Sequence, residues 1–456
     1  MSDEQLLFIR RKGGLVLLYG GRQFYRNKTY KNGSAVWVCR NKKTEGCHGS
    51  VTLEGDKILK QKEHKCDTNI FKNDIDKQIS LMKQAATDTL EPIKTIYDDY
   101  VIPLKDAGVD IISKIPPYTS LKTTLFNQRR RGLNVSKLAF KSPMEVEVPE
   151  KFETFVLGDY CDNETRIILF CFDETKDLLM TCNSFYGDGT FHSCPPPFVQ
   201  LYSIHADASS SSTALNVIPV IYVLMSNKTA ESYEIMLNII KSQIPGFNPA
   251  HFMTDYEAAS MKAIQNVFPQ ANIKGCFYHF ARALWRKAKE YKITKQQSSK
   301  RIVALSTALP FLPSNSVKEG WEYIDNDILN ELFDCPGLVK FKQYMEQHWL
   351  KSNNFIEKWS IFGTNIRTTN CLEGWHSKIN QLVGKKTPNL FKLLTILQRD
   401  SKLNVIKMKG GLQQKRSKET IYRDKLIKTT NMMLTDHKIP VGYFLERLAW
   451  KGSLFK

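Results

Sequence analysis

Leu178-Leu-Met-Thr-Cys-Asn-Ser-Phe-Tyr-Gly-Asp-Gly-Thr-Phe191 is an apolar run that ends in a glycine-flanked aspartate. Leu178–Tyr186 predicts a buried strand, and Gly187-Asp188-Gly189 closes it, which places a carboxylate at a strand end. Upstream, Arg166-Ile-Ile-Leu-Phe-Cys-Phe172 predicts another strand. Asp173 and Glu174 follow it as an exposed turn. Downstream, Val199–His205 and Val217–Leu224 predict two more strands. Ala230–Ser242 predicts a helix with Thr229 as its N-cap. A short strand ending at Met253-Thr254-Asp255, a helix from Glu257 to Val267, a strand around Asn272–Gly275 and a helix from Phe280 to Glu290 complete the run.

Three sequential strands, helix, strand, helix, strand, helix is the element order of an RNase H-like fold. In that order the strands ending at Asp188 and Asp255 are neighbours, so the two carboxylates converge at one sheet edge. Close carboxylates repel unless cations neutralise them, and hard divalent ions such as Mg²⁺ or Mn²⁺ suit oxygen ligands. Two such ions about 3.5–4 Å apart support phosphodiester cleavage. The chemistry calls for a third carboxylate, and Glu373 in Thr369-Asn-Cys-Leu-Glu-Gly-Trp-His376 is the best placed. Asn370, Glu373 and His376 are spaced i, i+3, i+6 and are expected to share a helical face. Glu257 and Asp207 are rival acids, with Glu257 better suited to starting the next helix. Cys276-x2-His279 supplies two ligand types only. It reads either as a partial metal site or as a buried cysteine beside a hydrogen-bonded histidine near the acids.

The two ends of the chain differ from this middle. Of 456 residues, 65 are Lys or Arg and 46 are Asp or Glu, a net charge of +19. Residues 1–66 carry 14 basic and 6 acidic side chains, and residues 385–456 carry 17 and 5, while 67–384 is near neutral with 34 and 35. Basic ends on a neutral centre point to a polyanionic partner, above all nucleic acid. Asn127-Gln-Arg129-Arg130-Arg131 adds a basic patch with a phosphate-facing reading for all three arginines.

Residues 1–66 show short β-favouring runs punctuated by Gly13-Gly14, Gly20-Gly21 and Asn32-Gly33. A unit this small buries too little surface to be comfortably stable without a staple. Cys39-x7-Cys47-x16-His64-x-Cys66 offers four ligands that zinc favours, and such a site would supply folding energy. His48 is a rival ligand, but neighbours in a strand face opposite ways, so it is expected to point outward. No apolar run approaches a membrane span. Leu15–Tyr19 is too short for a signal-peptide core, so secretion is not expected.

Two stretches resemble known families. Phe8, Leu15–Leu18, Tyr25, Trp37-x-Cys39, Cys47 and His64 are similar to a FLYWCH-type zinc finger, although such modules usually end His-x-His and this one ends His64-Lys65-Cys66. Asp188-Gly-Thr-Phe191, Pro195-x2-Phe198-x-Gln200-Leu-Tyr-x-Ile-His205, Pro219-x-Ile-Tyr-x-Leu224, Thr254-Asp-Tyr-Glu257, Gly275-Cys-Phe-Tyr-His279-Phe and Thr369-Asn-x2-Glu-Gly-Trp-His376 resemble the transposase domain of Mutator-like elements (MULE). The first resemblance implies zinc-dependent DNA binding. The second implies a DDE triad of Asp188, Asp255 and Glu373 holding Mg²⁺ or Mn²⁺.

The expected architecture is α+β and multidomain. It comprises a zinc finger over 1–68, a helical linker over 69–150, an RNase H-like (DDE integrase-type) core over 151–290 and a helical insertion over 291–365. Core helices with the third acid over 366–408 and a poorly patterned basic tail over 409–456 complete it. The function implied is cut-and-paste DNA transposition by a homo-oligomer in the nucleus. The alternative is a domesticated, non-catalytic DNA-binding regulator. Lys415-Arg-Ser-Lys418 is too short to count as an import signal.

Overall fold

The computed structural model describes residues 6–11, 14–68, 70–104, 113–331, 335–364, 367–384, 386–411 and 413–449. The chain divides into two compact units, Met1–Leu138 with Glu147–Lys151, and Ala139–Val146 with Phe152–Lys456. Among the described residues no helix is long and apolar enough to cross a membrane.

The first unit opens with an antiparallel meander: β1 (Leu7–Arg11), β2 (Gly14–Tyr19), β3 (Arg22–Thr29), β4 (Ala35–Cys39), β5 (Ser50–Glu54) and β6 (Lys57–Lys62), each paired with the next. Tyr19 pairs with Arg22 across Gly20-Gly21, whose φ angles are 54° and 68°. A two-residue hairpin loop with both φ positive matches the strand twist, and glycine takes it without strain. Leu17, Phe24, Trp37, Val51 and Leu53 form a small core. Three helices follow: α1 (Ile70–Asp88), α2 (Ile93–Val101) and α3 (Tyr118–Leu133), with Pro117 as the N-cap of α3. The Gln23 amide donates to Asn73 at 2.8 Å and to Asp76 at 2.7 Å, tying α1 to the meander.

The second unit is built on a sheet of β7 (Val156–Cys161), β8 (Arg166–Cys171), β9 (Ser184–Thr190), β10 (Gln200–Asp207), β12 (Val217–Met225), β13 (His251–Thr254) and β14 (Asn272–Gly275). The order across it is β14-β13-β9-β10-β12-β8-β7. The neighbours from β9 to β7 are antiparallel, and β13 and β14 run parallel to β9. Helices α5 (Ala230–Gln243) and α6 (Ala258–Val267) bury Tyr233, Leu237, Ile240 and Ile264 in the core that Ile204, Val220 and Phe252 provide from the sheet. Thr229 caps α5 as expected, accepting from the Ser232 N–H at 3.2 Å.

One strand differs from its sequence reading. Residues 178–181 belong to α4 (Asp173–Thr181), and the strand is Ser184–Thr190, so Asp188 lies inside β9 rather than at its end. Asp173 and Glu174 occupy the first turn of α4, where their charge suits the helix dipole, and not a hairpin turn. Leu178-Leu-Met is too short for periodicity to separate helix from strand.

A helical lobe completes the unit: α7 (Phe277–Glu290), α8 (Gln297–Ala308), α9 (Val317–Glu331), α10 (Gly337–Tyr344) and α11 (Asn353–Trp359). Helix α12 (Asn370–Val383) and α13 (Leu390–Lys409) return to the sheet. Residues beyond 409 are not a patternless tail. They form α14 (Lys418–Thr435) and α15 (Val441–Ala449), and Ile427, Phe444, Leu445 and Leu448 join the lobe core with Phe280, Ile302 and Trp359. A two-stranded ribbon pairs β11 (Ala214–Leu215) with β15 (Gln414–Lys415).

Candidate functional site

The zinc ligands converge. Cys39 Sγ lies 3.6 Å from Cys66 Sγ, and His64 Nδ1 lies 3.4 Å from Cys47 Sγ and 3.8 Å from Cys66 Sγ. All four ligand atoms fall within 4.8 Å of one another. These separations match the edges of a tetrahedron with zinc–sulfur bonds of about 2.3 Å. His48 is exposed and outside the cluster, as expected, but Cys47 and His48 lie in the loop before β5 (Ser50–Glu54), so strand alternation is not the reason. Burial, with the neighbouring Cys66 and Cys47 groups, pushes the Cys39 thiol up to about 12. Burial acts upward on Cys47 too, but the backbone N–H groups of Gly49, Lys65 and Cys66 outweigh it and hold that thiol down to about 6. A thiolate in this position is ready for a cation. Gly49 is needed beside the ring, since a Cβ there would stand 2.2 Å from His64 Nδ1.

The acids converge as well. Asp188 is buried on β9, opposite Ser203 of β10. Its two glycine neighbours face the other side of the strand. A Cβ at Gly187 would meet Tyr202 Oη at 2.2 Å, and one at Gly189 would meet the Gln200 amide at 2.7 Å. The Gly-Asp-Gly sequence thus lets two large side chains close the far face while the carboxylate faces the site. Asp255 follows β13, and its Oδ1 accepts the Glu257 N–H at 3.1 Å. Glu257 itself turns away, bound to the Tyr233 hydroxyl at 3.0 Å and to Lys228 at 3.4 Å.

Asp188, Asp255 and Glu373 line one open cavity of about 620 Å³ together with His279 and His376. The tightest grouping is Asp188, His279 and Glu373, whose ligand atoms lie within 4.8 Å of one another. His279 Nε2 stands 3.8 Å from Glu373 Oε1, and its buried Nδ1 has no partner among the described residues. Burial and the Asp255 and Glu373 charges push the Asp188 carboxyl up to about 8. Such mutual repulsion is what a divalent cation relieves, and two carboxylates with one imidazole fit such an ion. Burial and His279 hold His376 down to about 4, so its 3.7 Å approach to Asp188 is not an ion pair at neutral pH. His376 Nε2 faces Ser203 Oγ at 3.5 Å, and His205 Nε2 meets that oxygen at 3.1 Å.

Three expected site residues fall elsewhere. Cys276 is buried and accepts from the Thr369 N–H and hydroxyl, both at 3.2 Å, so it locks the start of α12 to the start of α7. Asn370 is exposed and lines different cavities, because six residues along a helix turn too far for one face. The facing stripe is Glu373, His376, Ser377 and Asn380, at i, i+3, i+4 and i+7. Arg129 is buried, donating to the backbone carbonyls of Ala86 and Glu91, and ties α3 to α1 instead of facing phosphate. Arg130 and Arg131 remain exposed.

The cavity also holds residues not singled out from sequence. Phe191 is 54% exposed at its rim, with Lys228 Nζ 4.7 Å over the ring. Asn380 binds Ser193 and approaches His192 Nδ1 at 3.1 Å. An aromatic ring left open beside a carboxylate cluster is the signal that identifies Phe191.

Comparison with known families finds two matches. Residues 186–283 match the MULE transposase domain, and residues 8–80 match the FLYWCH zinc finger domain. No curated protein matches the chain. The transposase match includes Asp188, Asp255 and His279 and stops short of Glu373, whose place in the cavity rests on the structure.

Proposed function

We propose that this chain is a metal-dependent DNA transposase of the cut-and-paste type. The observation that carries the reading is the convergence of Asp188, Asp255, Glu373 and His279 in one cavity. The sheet supports it: β14-β13-β9-β10-β12 is a five-strand RNase H-like order, with β8 and β7 extending the far edge. Residues 8–80 match a DNA-binding type of module, and the meander together with Arg130, Arg131 and the basic C-terminal region offers phosphate contacts.

Asp188, Glu373 and His279, with Asp255 beside them in the cavity, would hold Mg²⁺ or Mn²⁺, which would supply Lewis acidity and neutralise charge in phosphoryl transfer. Around that centre the chain's own groups position DNA. Phe191 offers a face for a base at the cut, and Lys386 and His192 line the same cavity beside the phosphates. Asp188 and Asp255 orient the attacking water towards phosphorus. Its attack breaks the bond to the 3′ oxygen, leaving a 3′-hydroxyl and a 5′-phosphate. That hydroxyl then attacks a target phosphodiester, forming one P–O bond as another breaks. Joining two ends requires two such cavities, hence a homo-oligomer on DNA, acting in the nucleus.

The test is strand cleavage of DNA from the flanks of the coding sequence, with Mg²⁺ and with Mn²⁺, beside Asp255→Asn. Metal-dependent nicking lost in the variant, with joined products, is expected. Tight binding of that DNA without nicking in either metal would overturn the catalytic reading in favour of a non-catalytic DNA-binding protein.

A further inference from the structure

Helix α12 presents two faces to two different cavities. Glu373, His376, Ser377 and Asn380 face the acids. Asn370, Gly374 and Lys378 face away, into a pair of cavities of about 470 and 670 Å³ that share Leu215, Asn370, Cys371 and Gln414 and so form one trough. The trough is walled by α12, the end of α13, the β11–β15 ribbon and the start of α14.

Its charge is one-sided. Arg367, Lys378, Lys407, Lys415, Arg416 and Arg423 line it against one lining acid, Asp424, and of these Lys378 is also paired with the buried Asp400 of α13. Asp424 pairs with both Arg367 and Arg416, the latter at 2.8 Å, and holds the two guanidinium groups in fixed orientation. Lys407, Lys415 and Arg423 have no ion-pair partner among the described residues. Between the cations, Asn370, Asn404, Gln413 and Gln414 offer amides that can both donate and accept.

Gly374 gives the second, independent sign. Glycine inside a helix costs about 1 kcal/mol relative to alanine. Among the described residues nothing requires it here, because a Cβ at Gly374 would meet none of their atoms within 4 Å. The bare backbone faces the trough, which leaves room for a ligand to lie close against the helix.

We infer that this trough binds a single strand of nucleic acid through its phosphodiester backbone, passing over Gly374 on the side of α12 opposite the acids. The two cavities, about 470 and 670 Å³, have the scale of small-molecule pockets, roughly 300–1,000 Å³, which suits nucleotides lying in file. The inference rests on the reading of the chain as a DNA-acting protein. It adds a second track to that reading, separate from the strand at the acids.

The experiment uses the full chain and a fluorescent oligo(dT) strand, followed by anisotropy across a salt series, with a duplex of equal length in parallel. Gly374→Leu fills the gap with a better helix former. Lys407→Glu with Arg423→Glu reverses one exposed and one half-buried charge. The expected result is about tenfold weaker oligo(dT) binding in each. The salt slope should fall by about 1.4, from two lost phosphate contacts on a single strand, in the charge variant only. Duplex binding and Mn²⁺-induced thermal stabilisation should stay at parental values. Parental oligo(dT) affinity in both variants overturns the trough, and equal loss for oligo(dT) and duplex overturns its assignment to a single strand. Cleavage by the parent with oligo(dT) binding unchanged in both variants sinks the trough alone. Absence of cleavage with oligo(dT) binding lost in both sinks the proposed transposition alone.

Discussion

Asp188 is an acid that the fold keeps from ionising freely. Its carboxyl is raised to about 8 by burial and by Asp255 and Glu373, from an ordinary value near 3.8. A raised value means the folded state holds the proton more tightly than the unfolded one. The favourable contribution is therefore complete below about pH 4 and is lost as pH climbs through 8. Metal-free protein should accordingly lose stability over that range. Asp188→Asn should raise the metal-free melting temperature at pH 8, by about 1–3 kcal/mol in free energy. It should also abolish the Mn²⁺-induced shift, and calorimetric melts from pH 5 to pH 8.5 check both. Phe191→Ala should raise KM for DNA about tenfold through lost base stacking while the Mn²⁺-induced shift persists. Steady-state cleavage and thermal melts read the two effects separately. Asp188 and Asp255 were legible in the sequence because glycines or a strand end announce each of them. Arg129 was not, because its partners are carbonyls 43 and 38 residues away and a basic run looks the same whether it faces water or a helix.

At the scale of the element, the meander and α12 show how local structure presents ligands. Gly49 admits the His64 ring beside β5, so Gly49→Ala should displace Nδ1 and lower zinc content below one per chain. Metal analysis after dialysis, with Cys39→Ser as the null-binding control, measures it. Helix α12 is pinned by Asp400 of α13, a buried carboxylate that accepts from Trp375 Nε1 at 2.8 Å and Asn404 at 3.1 Å and pairs with Lys378. Removing the buried acceptor leaves the Trp375 Nε1–H without its partner, so Asp400→Ala should destabilise by about 2 kcal/mol. Denaturant melts give the stability, and cleavage rates should fall further than KM rises because Glu373 loses its support. The spacing of Glu373 and His376 was readable as a helical face. The face was aimed one turn off, since Asn370 turns to the opposite cavity and Asn380 completes the stripe.

At the scale of the whole molecule, the alternation of strands and helices located six of the seven strands of the second sheet, but β7 and helix α4 escaped it and β9 was begun too early. The C-terminal helices escaped sequence reading for a different reason. Their apolar residues are set by partners in α8 and α9 more than a hundred residues earlier, not by a strong local pattern. A chain ending at residue 410 should therefore expose Phe280, Ile302 and Trp359 of the lobe core and aggregate, as size-exclusion chromatography of that truncation would show.

The packing of α15 into the lobe also sets an order of events at the ribosome. Phe444, Leu445 and Leu448 are among the last described residues to be synthesised, and the lobe core stays open until they emerge. A chain still being translated thus carries the acids without a finished domain around them. The helical lobe behind the acids is therefore closed only after residues 441–449 have been made, however early the strands that carry Asp188 and Asp255 are formed.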